Sequence, residues 1–232
     1  MTNPCRRHFQ RVTAAVAAAS AGPDQSMAGA NAYELHMAQL LQDQIRLKQI
    51  MSTEAKIALK HQLVPAYAPY IAGVLSAGQG AQDDVLVTVM LWRVDIADFE
   101  GALDIAEYVL ANKLKMPDRF NRTPACVVAE EIAENANKAL KAGTSFDLEL
   151  LHRTAAVTTD HDMPDEARAK LHLAIARATV AGISEDYPGQ QGQLQAAIAE
   201  FQRALELHER CGAKKEMEAA ERLLKKLAGN AG

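Results

Sequence analysis

Five ionisable side chains of the types that bind divalent metal ions lie close together at residues 160–166. Carboxylates and imidazoles are metal ligands, and a metal nuclease needs several carboxylates that converge on one or two ions. Pro164 lies among them, however, and proline followed by acids is typical of a helix start, where negative charge is favourable. We therefore expect a helix start here and no metal site: Asp160, His161, Asp162, Asp165 and Glu166.

A second possible nuclease signature is the loose pattern P-D…E-x-K, formed by residues 23–24 and 54–56. This motif normally uses a pair of strands to present its last residues. Here Glu54 and Lys56 fall in a stretch that is predicted to be helical. We predict no catalytic residue and no metal ligand. An endonuclease that uses Asp24 with Glu54, or the acids described above, stays open as an alternative.

The glycine pattern does not support nucleotide chemistry. A phosphate-binding loop needs G-x-x-x-x-G-K-[ST], because backbone amides and a lysine neutralise the phosphates. A dinucleotide site needs G-x-G-x-x-G after a strand. Neither pattern occurs, and Cys5, Cys126 and Cys211 have no spacing typical of a zinc site or a disulfide framework. We expect no motor activity and no cofactor.

Basic side chains are the best candidates for a function, because lysine and arginine neutralise the phosphates of DNA. The net charge is −4, but residues 1–62 hold 7 basic and 4 acidic side chains, against 8 and 16 in residues 63–165 and 10 and 9 in residues 166–232. No helix-turn-helix is predicted, so the groove that would be read stays open. The candidate DNA contacts are Arg6, Arg7 and Arg11 near the N-terminus, Arg46, Lys48, Lys56 and Lys60 in the next segment, and Lys113, Lys115, Arg119 and Arg122 in a short basic stretch.

Residues 33–63 contain neither proline nor glycine and predict the longest helix of the protein. Read in heptads, this helix has an apolar stripe that a glutamine interrupts, as in coiled coils where a polar residue sets the register. The stripe packs either against a second copy of the chain or on its own core, and both interpretations are open. It consists of Tyr33, Met37, Leu40, Gln44, Leu47 and Met51.

The composition favours helices, because alanine is abundant and aromatic residues make up only 5%. Residues 85–94 (VLVTVMLWRV) are apolar nearly throughout and could form a buried strand, but the acids before them favour a helix. Ala197, Phe201 and Ala204 have the small-large-small spacing of a tetratricopeptide repeat. We predict an all-α fold with a long N-terminal helix, a central helical core and a repeat-like C-terminal hairpin.

Four segments follow from this interpretation. We expect a basic flexible arm at 1–32, helical around 9–19. The long helix at 33–64 would serve self-association or DNA contact, and Pro65 and Pro69 would end it. A central helical core at 65–160 and a hairpin with a closing helix at 161–232 complete the chain. The alanine-rich stretch at 14–21 is too short for a signal or a membrane span, so we expect a cytoplasmic protein without membrane contact.

Several stretches resemble a known family. They are AQDDVLVTVMLWRVD at 81–95, GALDIAEYVL at 101–110 and DMPDEARAKLH at 162–172. Together they resemble the terminase small subunit of peduovirus-type phages, which are contractile-tailed and temperate. The resemblance runs from about Arg6 to Leu227.

The resemblance implies a protein of the host cytoplasm that binds the cohesive-end region of concatemeric double-stranded phage DNA. It also implies delivery of that DNA to a large terminase subunit with ATPase and nuclease activity, and a homo-oligomer in the form of a ring. Members of the family are also called endonuclease subunits, which keeps DNA cleavage by this chain as an alternative. A helical-repeat adaptor without a DNA role is the other alternative.

Overall fold

The computed structural model describes residues 3–23, 25–117 and 121–230. Regular structure in these residues is helical, apart from one isolated bridge between Ser26 and Gln82, which confirms the predicted all-α fold. The helices described are α1 (Pro4–Ser20), α2 (Asn31–Lys48), α3 (Thr53–Ala77), α4 (Asp84–Asp95), α5 (Phe99–Ala111), α6 (Pro124–Lys141), α7 (Leu148–Thr158), α8 (Asp165–Val180), α9 (Gln193–Leu207) and α10 (Lys214–Asn230).

The helices form two compact units. The first contains the residues up to Pro124, and the second begins at Ala125. The assignment of separate roles to residues 1–32, 33–64, 65–160 and 161–232 stays a prediction.

Helix α4 is the buried helix of the first unit. The apolar run at 85–94 forms a helix, as predicted, and residues 85–92 are all buried. Asp83 caps this helix, because its Oδ1 accepts a hydrogen bond from the Leu86 N–H at 2.9 Å. A helix that is apolar on all sides must be surrounded by others, and α2, α3 and α5 pack against it.

The N-terminal segment is a helix that packs along α3 within the first unit. Its helical region was predicted around residues 9–19, and α1 confirms it. The expectation of a flexible arm is wrong for α1, because Ala14 and Ala18 are buried where α1 packs along α3. Alanine side chains let two helices approach closely, so the alanine-rich sequence has a packing role.

Helix α3 approaches α1 closely at Gly73. A Cβ atom at this position would lie 2.3 Å from the Arg11 carbonyl oxygen and 2.8 Å from the Ala14 Cβ. Both distances are shorter than van der Waals contact, so only glycine fits. The backbone of α3 therefore touches the backbone of α1 directly.

The predicted single helix at 33–63 is wrong, because the structure divides it into α2 and α3. Helix α2 ends at Lys48, and Ser52 caps α3 by accepting a hydrogen bond from the Ala55 N–H at 3.3 Å. A serine cap can start a helix without any proline or glycine to end the previous one.

The predicted break at Pro65 and Pro69 is also wrong, because both prolines lie inside α3. A proline within a helix removes a backbone hydrogen bond. Burial of the apolar side chains around the prolines outweighs this loss. These side chains are Leu63, Val64, Tyr67, Tyr70, Ile71 and Val74.

Two buried carboxylates give the first unit a polar core. The Tyr67 hydroxyl donates to Asp43 at 2.8 Å, and the Tyr70 hydroxyl donates to Asp83 at 2.6 Å. The His36 ring stacks on Tyr70 with 4.4 Å between ring centroids. Burial raises the pKa of Asp83 to about 6, because a charged carboxylate is costly away from water.

A buried arginine joins three helices of the second unit. Arg177 of α8 donates to both carboxylate oxygens of Glu216 of α10, at 2.8 and 2.5 Å. It also donates to the Asn137 side-chain oxygen of α6 at 2.7 Å. Only 6% of Arg177 is exposed, so loss of either partner would leave a buried charge incompletely paired.

The C-terminal hairpin has the predicted packing. Ala197, Phe201 and Ala204 of α9 are fully buried. Phe201 and Ala204 belong to one apolar cluster with Leu173 and Ala176 of α8. The small residues admit the close approach of α8, and the phenylalanine fills the space between them. The repeat-like spacing therefore predicted the side of α9 that is buried.

Gly73→Ala should destabilise the first unit by about 2 kcal/mol, because the added methyl group collides with backbone that cannot move freely. Denaturant unfolding measures this change. Gly22→Ala is the matched control, since nothing lies within 4 Å of a Cβ atom there. Equal stability of the two variants would contradict the close contact between α1 and α3.

Asp83→Asn should flatten the pH dependence of stability between pH 3.8 and about 6, the ordinary and the folded-state pKa of Asp83. The folded protein binds this proton at a higher pH than the unfolded chain does. The unfolding free energy of the wild-type protein should therefore fall as the pH rises through the window, by about 3 kcal/mol from this group.

Denaturant unfolding at several pH values measures both slopes. Tyr70→Phe removes a donor that lowers the pKa of Asp83, so it should extend the window to higher pH. Identical slopes for the wild-type protein and Asp83→Asn would rule out this titration.

Candidate nucleic-acid interface

The N-terminal half of α1 carries three exposed arginines. Asn3 caps the helix by accepting a hydrogen bond from the Cys5 N–H at 2.9 Å. Arg6, Arg7 and Arg11 follow, and none of them takes part in an ion pair found in the described residues. Their positive charges are therefore available to an external anion.

The first turn of α1 contains basic residues where a helix favours acids. A helix N-terminus is electrostatically positive, so acidic side chains stabilise it and basic ones do not. The first turn of α1 has no acid. A bound anion would relieve this repulsion, because it interacts favourably with both the arginines and the positive end of the helix dipole.

An open groove of about 430 Å³ lies between α1 and α3. Its α1 side is basic, and its α3 side consists of small uncharged residues. The lining residues are Pro4, Arg7, His8, Arg11, Ala68, Pro69 and Ala72. Small side chains would let a phosphate backbone approach the arginines without steric hindrance.

In the second group of predicted DNA contacts, two of the four basic side chains form ion pairs within the first unit. Arg46 is paired with Asp43 at 2.9 Å, and Lys60 is paired with Asp95. Lys48 is exposed in the last turn of α2, where a positive charge also stabilises the helix end, and Lys56 is half-buried. Arg46 and Lys60 therefore have acidic partners, whereas the three arginines of α1 have none among the ion pairs of the described residues.

The third group lies in the basic loop, by which we mean residues 113–117. Lys113 and Lys115 are exposed in it, and Arg122 is exposed further along, whereas Arg119 lies outside the described residues. Lys113 has a φ of 56°, in the left-handed region that glycine adopts most easily. It ends α5 in this conformation, with the Leu114 N–H donating to the Val109 carbonyl at 2.9 Å.

Half of the six side chains in the predicted self-association stripe are buried within the first unit. Tyr33, Leu40 and Leu47 are buried, as the interpretation of a helix on its own core predicts. Met37 and Gln44 are half-buried, and Met51 is 92% exposed beyond the end of α2. A contact between copies through this stripe stays a prediction.

The buried side of α2 also includes two polar residues that the heptad pattern missed. His36 is held by a 2.7 Å hydrogen bond between its Nδ1 and the Ala32 carbonyl, and Asp43 by its bond with Tyr67. Hydrophobicity alone could not have identified them, because a buried polar residue depends on partners that only the fold supplies.

Exposed apolar side chains are concentrated on α1 and α2. They lie outside the predicted stripe and are Phe9, Val12, Val16, Leu35, Leu41 and Ile45. The positions 9, 12 and 16 share one face of α1. That spacing in the sequence could have identified them.

The acidic residues near position 160 have the predicted structural role. Asp165 and Glu166 lie in the first turn of α8, directly after Pro164. Across the described residues there is no group of three or more His, Cys, Asp or Glu side chains placed to share a metal ion. Glu54 lies in the first turn of α3, while Asp24 is outside the described residues.

Comparison with known proteins identifies the family. The phage small terminase subunit family matches residues 37–166, which is more than half of the chain. The chain belongs to the phage small terminase subunit family. This confirms the resemblance seen in the sequence, and the protein therefore has a role in a phage terminase.

Two curated relatives of this terminase subunit are similar over most of its length. The "Terminase, endonuclease subunit" of Escherichia phage P2 is 44% identical over 226 residues, which cover 97% of this chain and 87% of the relative. The "Probable terminase, endonuclease subunit" of Haemophilus phage HP1 (strain HP1c1) is 28% identical over 194 residues, covering 81% and 69%. No solved structure gives a significant match. In the described part of the terminase subunit, no helix is both long and apolar enough to cross a membrane.

Lys113→Gly should raise the unfolding free energy by about 0.5–1 kcal/mol, because glycine adopts a positive φ without the steric cost that a side chain imposes. Denaturant unfolding measures the gain. Ala97→Gly is the matched control, since Ala97 has a φ of 59° after α4 and carries no charge. A loss of stability in Lys113→Gly alone would show that the lysine side chain stabilises the fold.

Proposed function

We propose that this terminase subunit binds the cohesive-end packaging site of concatemeric phage DNA and delivers it to a large subunit that carries the ATPase and nuclease. The observation that supports DNA contact most directly is the set of three exposed arginines near the N-terminus of α1, beside an open groove. They form no ion pair within the described part of the chain. Arginine binds phosphate through several N–H donors, so this surface suits the DNA backbone.

The basic loop and α1 belong to the same compact unit, and both offer exposed positive charge. Position 113 is a lysine, although glycine would adopt the same positive φ with less backbone strain. The Lys113 side chain is exposed at the end of α5, where a phosphate can reach it. We include Arg6, Arg7, Arg11, Lys113 and Lys115 in the proposed DNA surface.

Two protein contacts complete the proposal. The subunit forms a homo-oligomeric ring, for which the exposed apolar side chains of α1 and α2 provide a contact surface. The large subunit binds the hairpin of α8 and α9 in the second unit, because helical hairpins of the repeat type commonly serve as surfaces for protein partners.

DNA cleavage by this subunit is the second candidate function, since both relatives are named as endonuclease subunits. Such an activity would need carboxylates that bind Mg²⁺. The purified chain alone would then cut DNA in the presence of Mg²⁺. Substitution of Asp162 or Glu54 by alanine would abolish that cutting.

The decisive experiment is binding of the purified chain to a cohesive-end DNA fragment and to a scrambled fragment, across a salt series, with and without Mg²⁺. The proposal predicts preference for the cohesive-end fragment and uncut DNA. It also predicts a negative log-log salt slope of about 0.9 for each phosphate contacted. Absent or salt-insensitive binding would favour the adaptor without a DNA role, and Mg²⁺-dependent cleavage would favour the endonuclease.

Combining Arg7→Gln with Arg11→Gln should weaken DNA binding by about tenfold or more and reduce the salt slope by about 1.8, because two phosphate contacts are lost. The matched control combines Lys138→Gln with Lys141→Gln, two exposed lysines in the last turn of α6. This control should bind as the wild-type protein does. Equal effects of the two variants would mean that net charge, and not the α1 surface, governs binding.

A further inference from the structure

Gln82 makes a two-point hydrogen-bonded contact with the main chain of the basic loop. Its Oε1 accepts from the Lys115 N–H at 2.9 Å, and its Nε2 donates to the Lys115 carbonyl at 3.0 Å. The same Nε2 donates to the Asp84 carboxylate at 2.9 Å, which orients the amide group. The glutamine side chain therefore satisfies both backbone polar groups of one loop residue.

The main chain of Gln82 also forms two hydrogen bonds, both with residues that precede α2. Its N–H donates to the Gln25 carbonyl at 2.8 Å, and its carbonyl accepts from the Met27 N–H at 3.0 Å. Residues 25–27 belong to the connection that follows α1. One residue thus joins the connection after α1 to the loop after α5, and the two proposed phosphate-binding segments have a common point of attachment.

The Lys115 main chain depends on Gln82 for its hydrogen bonds. Within the described residues, no other hydrogen bond involves the Lys115 main chain. Ordering a loop residue costs conformational entropy, and this cost weakens binding if it is incurred only when the ligand arrives. A loop that is already ordered avoids this cost.

We propose that Gln82 is a positioning residue for DNA binding, because its side chain holds the Lys115 main chain and so keeps Lys113 and Lys115 in place for phosphate contact. This inference rests on the proposed function, since it needs the basic loop to touch DNA. Gln82 itself makes no contact with a phosphate. Its removal should therefore affect binding only through the two lysines.

The test compares Gln82→Ala and Gln82→Glu with Gln79→Ala. Glutamate keeps the size of the side chain but cannot donate to the Lys115 carbonyl. Gln79 is an exposed glutamine in the same connection between α3 and α4 and is the matched control. Hydrogen exchange of peptides that cover residues 109–117 measures loop order, and thermal unfolding confirms that each variant is folded.

We expect about tenfold faster exchange at Lys115 and about fivefold weaker DNA binding in both Gln82 variants, with the salt slope unchanged because the same phosphates are contacted. In a background of Lys113→Gln and Lys115→Gln, which itself lowers the slope, Gln82→Ala should have no further effect on DNA affinity. Gln79→Ala should behave as the wild-type protein in every assay.

Three results would overturn the inference while leaving the proposed function intact. These are unchanged exchange at Lys115, unchanged DNA affinity in the Gln82 variants, or an equal loss of affinity with and without the two lysines. A wild-type chain that does not bind DNA at all would instead refute the proposed function, and the positioning role with it.

Discussion

At Gly73 the backbone of α3 meets the backbone of α1 with no side chain between them. This contact determines how closely α1 approaches α3. The buried Ala14 and Ala18 continue the close packing along α1. The arginines of α1 are on the same helix, so their distance from α3 depends on the same contact. A rigid helix that holds cations loses less conformational entropy on binding than a flexible arm does.

The basic side chains of the first unit differ in whether an acidic side chain already forms an ion pair with them. Arg46 and Lys60 are paired with Asp43 and Asp95, so DNA would have to compete with an existing ion pair. The arginines of α1 have no such competition in the described structure. Counting basic residues along the sequence therefore overestimates the surface that is available to phosphate.

Both units contain polar groups that are buried and fully engaged. In the first unit, Tyr70 and the Leu86 N–H bind the Asp83 carboxylate, and in the second, Glu216 and Asn137 bind the Arg177 guanidinium. Such groups are costly to bury without partners. Each therefore stabilises one particular arrangement of the helices around it, and alternatives that separate the partners are unfavourable.

The sequence by itself determined the all-α class, the buried side of α9 and the family. It favoured a helix over a strand at residues 85–94, and the structure decided between the two. Neighbouring residues carry this information. Acids precede the apolar run at 85–94, alanine and phenylalanine recur at helical spacing in α9, and several short stretches match the family. The division of residues 33–63 into two helices and the continuation of α3 through Pro65 and Pro69 were decided by the tertiary structure. So were the burial of His36 and Asp43 and the contact between Gln82 and Lys115. In each of these cases the decisive partner is distant in sequence or the gain comes from burial, and neither can be read from neighbouring residues.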